Sequence, residues 1–73
     1  MTTTELKAAR KELGLDQTAL AKRLRTSRSA YVKWERGERP ITGLLETAIE
    51  LLLAHDRRVM QAITAKLAKE INA

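Results

Sequence analysis

An all-α fold is predicted for this 73-residue chain from three features. Apolar residues recur at i, i+3 and i+4 from one end to the other, the period of an amphipathic helix. Aromatic residues make up 3% of the chain and phenylalanine is absent, a composition poor in the side chains that strands favour. Only three glycines and one proline interrupt the pattern, and the length suits one domain.

The elements follow in order. Thr2-x-x-Glu5 has the spacing of a capping box, with a start one or two residues later equally open. Leu6, Ala9, Arg10 and Leu13 then share one face, and Gly14 is a natural left-handed stop. Asp16 can cap a second helix that turns Leu20, Ala21 and Leu24 inward. Arg25-Thr26 makes a short break before Ser27, a cap for a third helix running to about Arg36 and stopped by Gly37. Glu38-Arg39-Pro40-Ile41 reads as extended, because proline disfavours helix in the residue before it. Thr42 can cap a fourth helix bearing Leu44, Leu45, Ala48, Ile49, Leu51 and Leu52, apolar nearly all round and expected at the centre of the core. His55-Asp56 marks a break, with Asp56 as a cap. A fifth helix from Arg57 to about Asn72 completes the expected five.

Several function classes drop out. Without cysteine there is neither a disulfide framework nor Cys-ligated zinc. The single His55 cannot form a multi-His metal site or a self-contained catalytic triad, and no glycine-rich phosphate cradle is present. Glu46 and Glu50, four apart on a helix, read as a solvated face rather than an acid/base pair. No catalytic residue, metal or cofactor is therefore expected. Met1 is followed by Thr2, Thr3, Thr4 and Glu5, unlike a secretory signal, and the longest apolar run, Leu51 to Ala54, is far below the ~20 residues of a membrane span. A cytoplasmic protein with no membrane partner is expected.

Charge gives the positive lead. The net charge is +5, and residues 22–39 carry all of it: seven Lys or Arg against Glu35 and Glu38, with the remainder neutral. A concentrated basic surface attracts polyanions and releases counterions from nucleic acid; a merely solubilising face is the alternative. On the third helix, at about 100° per residue, Arg28, Val32, Arg36, Ser29 and Lys33 fall within one arc, while Ala30, Trp34 and Tyr31 lie opposite. The first arc suits the DNA major groove, where Arg and Lys donate to guanine, Ser serves either base edge and Val touches a thymine methyl. Trp34 and Tyr31 could stack on single-stranded bases, but their spacing away from the basic arc reads as a core anchor.

Gln17-Thr-Ala-Leu-Ala21-Lys-Arg-Leu24, followed by Ser27-Arg-Ser-Ala-Tyr31-Val-Lys-Trp34-Glu35-Arg-Gly37, resembles the helix-turn-helix of the Cro/CI-type (XRE) repressor family. The likeness is ungapped and covers roughly residues 5–54. It implies a five-helix, lambda-repressor-like DNA-binding domain whose helix-turn-helix is formed by helices 2 and 3. It further implies base contacts from Arg28, Ser29, Val32 and Lys33. Phosphate contacts are implied for Gln17, which can also buttress the reading helix from the start of helix 2, and for Arg36 and Arg39, joined by Thr26 or Ser27. Arg10 and Glu35 match an ion pair tying the first helix to the end of the third; two independent solvated charges are the alternative. Arg25 departs from the pattern, since the family most often has glycine there at positive φ.

Residues 1–54 thus read as the DNA-binding domain and 55–73 as a C-terminal amphipathic element. Val59, Ile63, Leu67 and Ile71 form an apolar stripe that either folds back to complete a monomeric core or, the favoured reading, pairs two copies. The expected activity is that of a homodimeric bacterial or phage repressor on a palindromic operator in double-stranded DNA, autoregulating a small operon in the cytoplasm, on the nucleoid. The alternative is an antitoxin-type protein that neutralises a protein partner and regulates its own operon, including a regulator of an anti-CRISPR or restriction-modification operon.

Overall fold

The computed structural model describes residues 1–72, with side chains through Glu70. Among them lie four helices and no strand: α1 (Thr3–Glu12), α2 (Gln17–Arg23), α3 (Arg28–Arg36) and α4 (Gly43–Asn72).

Every helix start is set by a side chain of the expected type. Thr2 Oγ1 accepts from the Glu5 amide at 3.1 Å while Glu5 accepts from the Thr2 amide at 2.9 Å, a complete capping box. Asp16 accepts from the Ala19 amide at 2.7 Å, Ser27 from Ala30 at 3.1 Å and Thr42 from Leu45 at 3.2 Å. Each bond satisfies an amide that lacks an intrahelical partner.

The ends of α1, α2 and α3 share one device. A residue at positive φ (Gly14 at 69°, Arg25 at 57°, Gly37 at 75°) turns the chain. The amides around it then bond back to the last turn: Gly14 to Lys11 and Leu15 to Arg10, Arg25 to Lys22 and Thr26 to Ala21, Gly37 to Trp34 and Glu38 to Lys33. These are Schellman closures, which consume carbonyls that would otherwise be orphaned. At Arg25 the closure is made by a residue with a Cβ, which is disfavoured in this conformation.

Leu6, Ala9 and Leu13 of α1, Leu20 and Ala21 of α2, Tyr31 of α3, and Leu45 and Ile49 of α4 form the core. Leu15, Leu24, Trp34, Ile41, Leu52 and Leu53 pack around it. Ala21 is fully buried on α2, and α2, the four residues 24–27 and α3 make the helix-turn-helix.

The five-helix expectation fails at His55-Asp56. The chain continues through both residues as one helix of 30 residues, about 45 Å long at 1.5 Å per residue. Neither residue is a strong breaker: the segment after Gly43 holds no glycine or proline and is rich in Ala, Leu, Lys, Arg and Glu. Asp56, inside the helix, is therefore not a cap. Arg57 further fastens α4 to the end of α1 through a forked pair with Glu12, with N–O distances of 2.8, 3.0 and 3.1 Å. The expectation that the Leu44–Leu52 stretch is central also needs correction, for Leu44 is 82% and Leu51 66% exposed while only Leu45 and Ile49 are buried. Because α4 does not turn back, every side chain from Arg57 to Glu70 is exposed and the molecule measures 53 × 20 × 19 Å. Long as it is, no described helix is long and apolar enough to cross a membrane.

Replacing Arg25 by glycine should remove the left-handed penalty at the α2–α3 turn, partly offset by the greater freedom of an unfolded glycine. We expect Arg25→Gly to raise unfolding free energy by up to about 1 kcal/mol in urea titrations. A loss of stability would show that the Arg25 side chain makes a compensating interaction.

Candidate nucleic-acid interface

The surface of α3 is divided by what lies beneath it. Tyr31 and Glu35, one turn apart, are the buried residues of the helix. Arg28, Ser29, Lys33 and Arg36 are exposed, Val32 is half-buried in the same arc, and Trp34 is half-buried on the other side. Trp34 meets the Tyr31 ring edge-to-face, with centroids 6.2 Å apart and planes at 83°, a favourable aromatic geometry. Neither aromatic side chain lies on the basic arc.

A buried carboxylate fixes this orientation. Glu35 is 4% exposed and gathers donors from all three short helices. Arg10 Nε of α1 donates to Oε2 at 2.7 Å and its Nη2 to Oε1 at 3.4 Å. Gln17 Nε2 of α2 donates to Oε1 at 3.2 Å. The Tyr31 hydroxyl, one turn back on α3, donates to Oε2. Arg10 Nη1 also reaches the Leu15 carbonyl at 3.2 Å, closing the loop after α1. No described side-chain polar atom is buried without a partner.

Burial alone would push the Glu35 carboxyl up, but the hydrogen bonds from Arg10, Tyr31 and Gln17 outweigh it and hold the group below its ordinary value. Burial, with the bond to Glu35, pushes the Tyr31 phenol upward, so it stays a donor. The hydrogen bond to Glu35 raises Arg10.

Charge is sorted by the same arrangement. Glu35, one of two acids between residues 22 and 39, is turned inward and neutralised by Arg10. All seven basic residues of the segment remain exposed, opposed there only by exposed Glu38. Arg28 and Gln17 border an open cleft of about 340 Å³ with Arg10, Asp16 and Thr18. Arg28 Nη2 donates to Gln17 Oε1 at 3.4 Å. Arg39 lies with its guanidinium carbon 5.5 Å from the Trp34 ring centroid, a cation–π contact that holds it beside the end of α3. Ser27 is committed as an acceptor at the α3 cap but retains its hydroxyl proton. Thr26, half-buried, closes the α2 end through its amide.

Of the interface residues expected from the sequence, Arg28, Ser29, Val32, Lys33 and Arg36 lie on α3, Thr26, Ser27 and Arg39 in the turns flanking it, and Gln17 at the start of α2. Val59, Ile63 and Leu67 lie elsewhere, on the projecting half of α4, and Ile71 falls outside the residues whose side chains are described. The sequence did not foreshadow the Arg39–Trp34 contact, which joins residues with no local pattern, while the Tyr31 bond to Glu35 had an unread signal in their i, i+4 spacing. The Gln17 bond to Glu35 is a buttress of the kind the family likeness implies for this position.

Glu35→Gln should cost about 3 kcal/mol at neutral pH, because it leaves the largely buried Arg10 without its counter-charge. A cost below about 0.5 kcal/mol would mean that the pair does not hold the helices together. The pH dependence has a definite sign. A carboxylate with a depressed folded pKa contributes fully above its unfolded pKa, about 4.3, and loses that contribution as pH falls through the folded value. The stability gap between the native chain and Glu35→Gln should therefore narrow below about pH 4.3 in acid denaturation series.

A family model described as helix-turn-helix matches residues 6–52, from the first buried leucine of α1 into α4. No curated protein and no solved structure matches the chain. The matched span is well over half of the sequence and contains the whole α2–turn–α3 unit, the buried Glu35 cluster and the exposed basic arc. The chain belongs to the XRE-type helix-turn-helix family of DNA-binding transcription regulators.

Proposed function

We propose that the protein is a sequence-specific, homodimeric repressor that lays α3 in the DNA major groove. The observation that carries this reading is the division of α3: an arc of Arg28, Ser29, Lys33 and Arg36 open to solvent, backed by Tyr31 and Glu35 locked inward. Arg28 and Lys33 are the guanine-reading donors, Ser29 bonds a neighbouring base edge, and the half-buried Val32 meets a thymine methyl. Gln17, Thr26, Ser27, Arg36 and Arg39 contact phosphates and fix the register, without themselves reading sequence.

Residues 1–54 act as the reading unit and 55–73 as the pairing element. Support for pairing comes from the projecting half of α4, where Val59, Met60, Ile63 and Leu67 are 41–57% exposed. Covering that stripe with its equal in a second copy removes apolar surface from water and gives two reading helices related by two-fold symmetry. Such a dimer addresses half-sites about one helical turn, ~34 Å, apart, so the operator is palindromic. Occupying an operator over its own promoter gives autoregulation of a small operon in the bacterial cytoplasm.

Selection of bound duplexes from a random pool tests this reading directly: an inverted repeat should emerge, and equal affinity for all sequences at moderate salt would contradict it. Arg28→Ala and Lys33→Ala should each lose about 1–3 kcal/mol of discrimination at a particular base. Arg39→Ala should weaken all duplexes alike and reduce the salt slope by about 1. The same response from all three variants would place α3 in the wrong orientation.

Ile63→Asp combined with Leu67→Asp should leave the helix-turn-helix folded but shift sedimentation equilibrium from dimer to monomer. Retention of the dimer would move the pairing surface off this stripe.

A further inference from the structure

The exposed apolar stripe of α4 carries charges that give it a direction. At about 100° per residue, Asp56 falls within about 60° of Val59, Met60, Ile63 and Leu67, and it is half-buried at the foot of the stripe. There α4 meets the end of α1, and Glu12, Leu53, Asp56, Arg57, Met60 and Gln61 line a groove of about 270 Å³. Glu12 is engaged by Arg57, whereas Asp56 is in no ion pair among the described residues. Nearly three turns further on, Lys66 is exposed and flanks the stripe one turn beyond Ile63.

We infer that two copies pair their α4 stripes antiparallel, the groove at each α1–α4 elbow taking the Lys66–Leu67 end of the other copy's stripe. This rests on the pairing proposed above and gives it a direction and a register. Parallel pairing would set Asp56 against Asp56 inside an apolar seam and Lys66 beside Lys66, and like charges held together oppose association. Antiparallel pairing reverses both contacts. With Asp56 opposite Lys66 of the second copy, Val59 falls opposite Ile63, Met60 opposite Ala62, and the two-fold axis passes at Gln61. The acid thus meets a counter-charge in the same register that joins the β-branched side chains, and two-fold symmetry makes each contact twice. Leu67 reaches the elbow groove, where Leu53 and Met60 supply apolar cover. The two bundles then lie at opposite ends of the pair, so the length of α4 from bundle to crossing point sets the separation of the reading helices.

Because the chain has no cysteine, disulfide trapping reads the direction. Asp56→Cys and Leu67→Cys are oxidised singly and as an equimolar mixture, with folding checked by circular dichroism. Antiparallel pairing predicts a mixed disulfide from the mixture and little from either variant alone. Equivalent residues would lie about 15–18 Å apart along the axis at 1.5 Å per residue, too far for a disulfide. Sedimentation equilibrium gives a second reading that involves no cross-link. Asp56→Lys and Lys66→Asp should each weaken the dimer by about tenfold, and the two exchanges combined should restore it to within about twofold, the behaviour of a coupled exposed pair.

A disulfide from Leu67→Cys alone, in the yield of the mixture, would show parallel pairing and overturn the inference while leaving the dimer intact. Charge variants that pair as tightly as the native chain would overturn the Asp56–Lys66 register. A monomeric native chain, or a native dimer trapped by no combination of cysteines, would overturn both the inference and the pairing on which it rests.

Discussion

Glu35 is held in the interior by Arg10 from α1, Gln17 from α2 and the hydroxyl of Tyr31 on α3 itself, and the position of α3 follows from that constraint. A carboxylate removed from water is tolerated only where donors replace the lost solvation. Here each donor belongs to a different helix, so satisfying the charge specifies how the three helices sit together. The core around it is small, eight buried apolar residues of which two are alanines. The buried Tyr31 ring sets which side of α3 faces inward, and the hydrogen-bonded charge adds a directional constraint that apolar contact lacks.

The consequence at the surface is a separation of signs. One acid of the basic segment is turned inward with its own counter-ion, and the cations stay outside. Arg28 sits at the junction, connected inward through Gln17 and outward to solvent. Arg39, in cation–π contact with Trp34 at the far end of α3, defines the other limit of the arc. Rigid backing and exposed donors are the two properties a groove-reading helix needs, and both arise from the inward face of one nine-residue helix.

Local features of the sequence translated well into structure. Thr2, Asp16, Ser27 and Thr42 each cap the helix expected of them, because a cap needs only a side-chain acceptor and an amide two or three residues away. Gly14 and Gly37 end their helices for an equally local reason. The reading at His55-Asp56 failed because it rested on two residues of middling helix propensity in a segment of strong helix formers. The forked contact of Arg57 with Glu12, 45 residues earlier, could not be seen in a one-dimensional pattern. Leu44 and Leu51 were misjudged for a related reason: an apolar residue on a helix is buried only if something packs on its side, and α4 rests on the bundle along the Leu45–Ile49 side alone. The inward and outward arcs of α3 could be drawn from spacing, whereas the Gln17 link depends on tertiary placement.

The account turns on whether Arg10 and Glu35 act as one unit. A double-mutant cycle with Arg10→Met, Glu35→Met and both together, read as unfolding free energy at neutral pH, measures this directly. Each single change strands a buried charge, so the double variant should be less damaged than the two losses added, with a coupling of about 1–3 kcal/mol. Additive losses would mean two independent charges, and the orientation of α3 would then have to come from apolar packing alone.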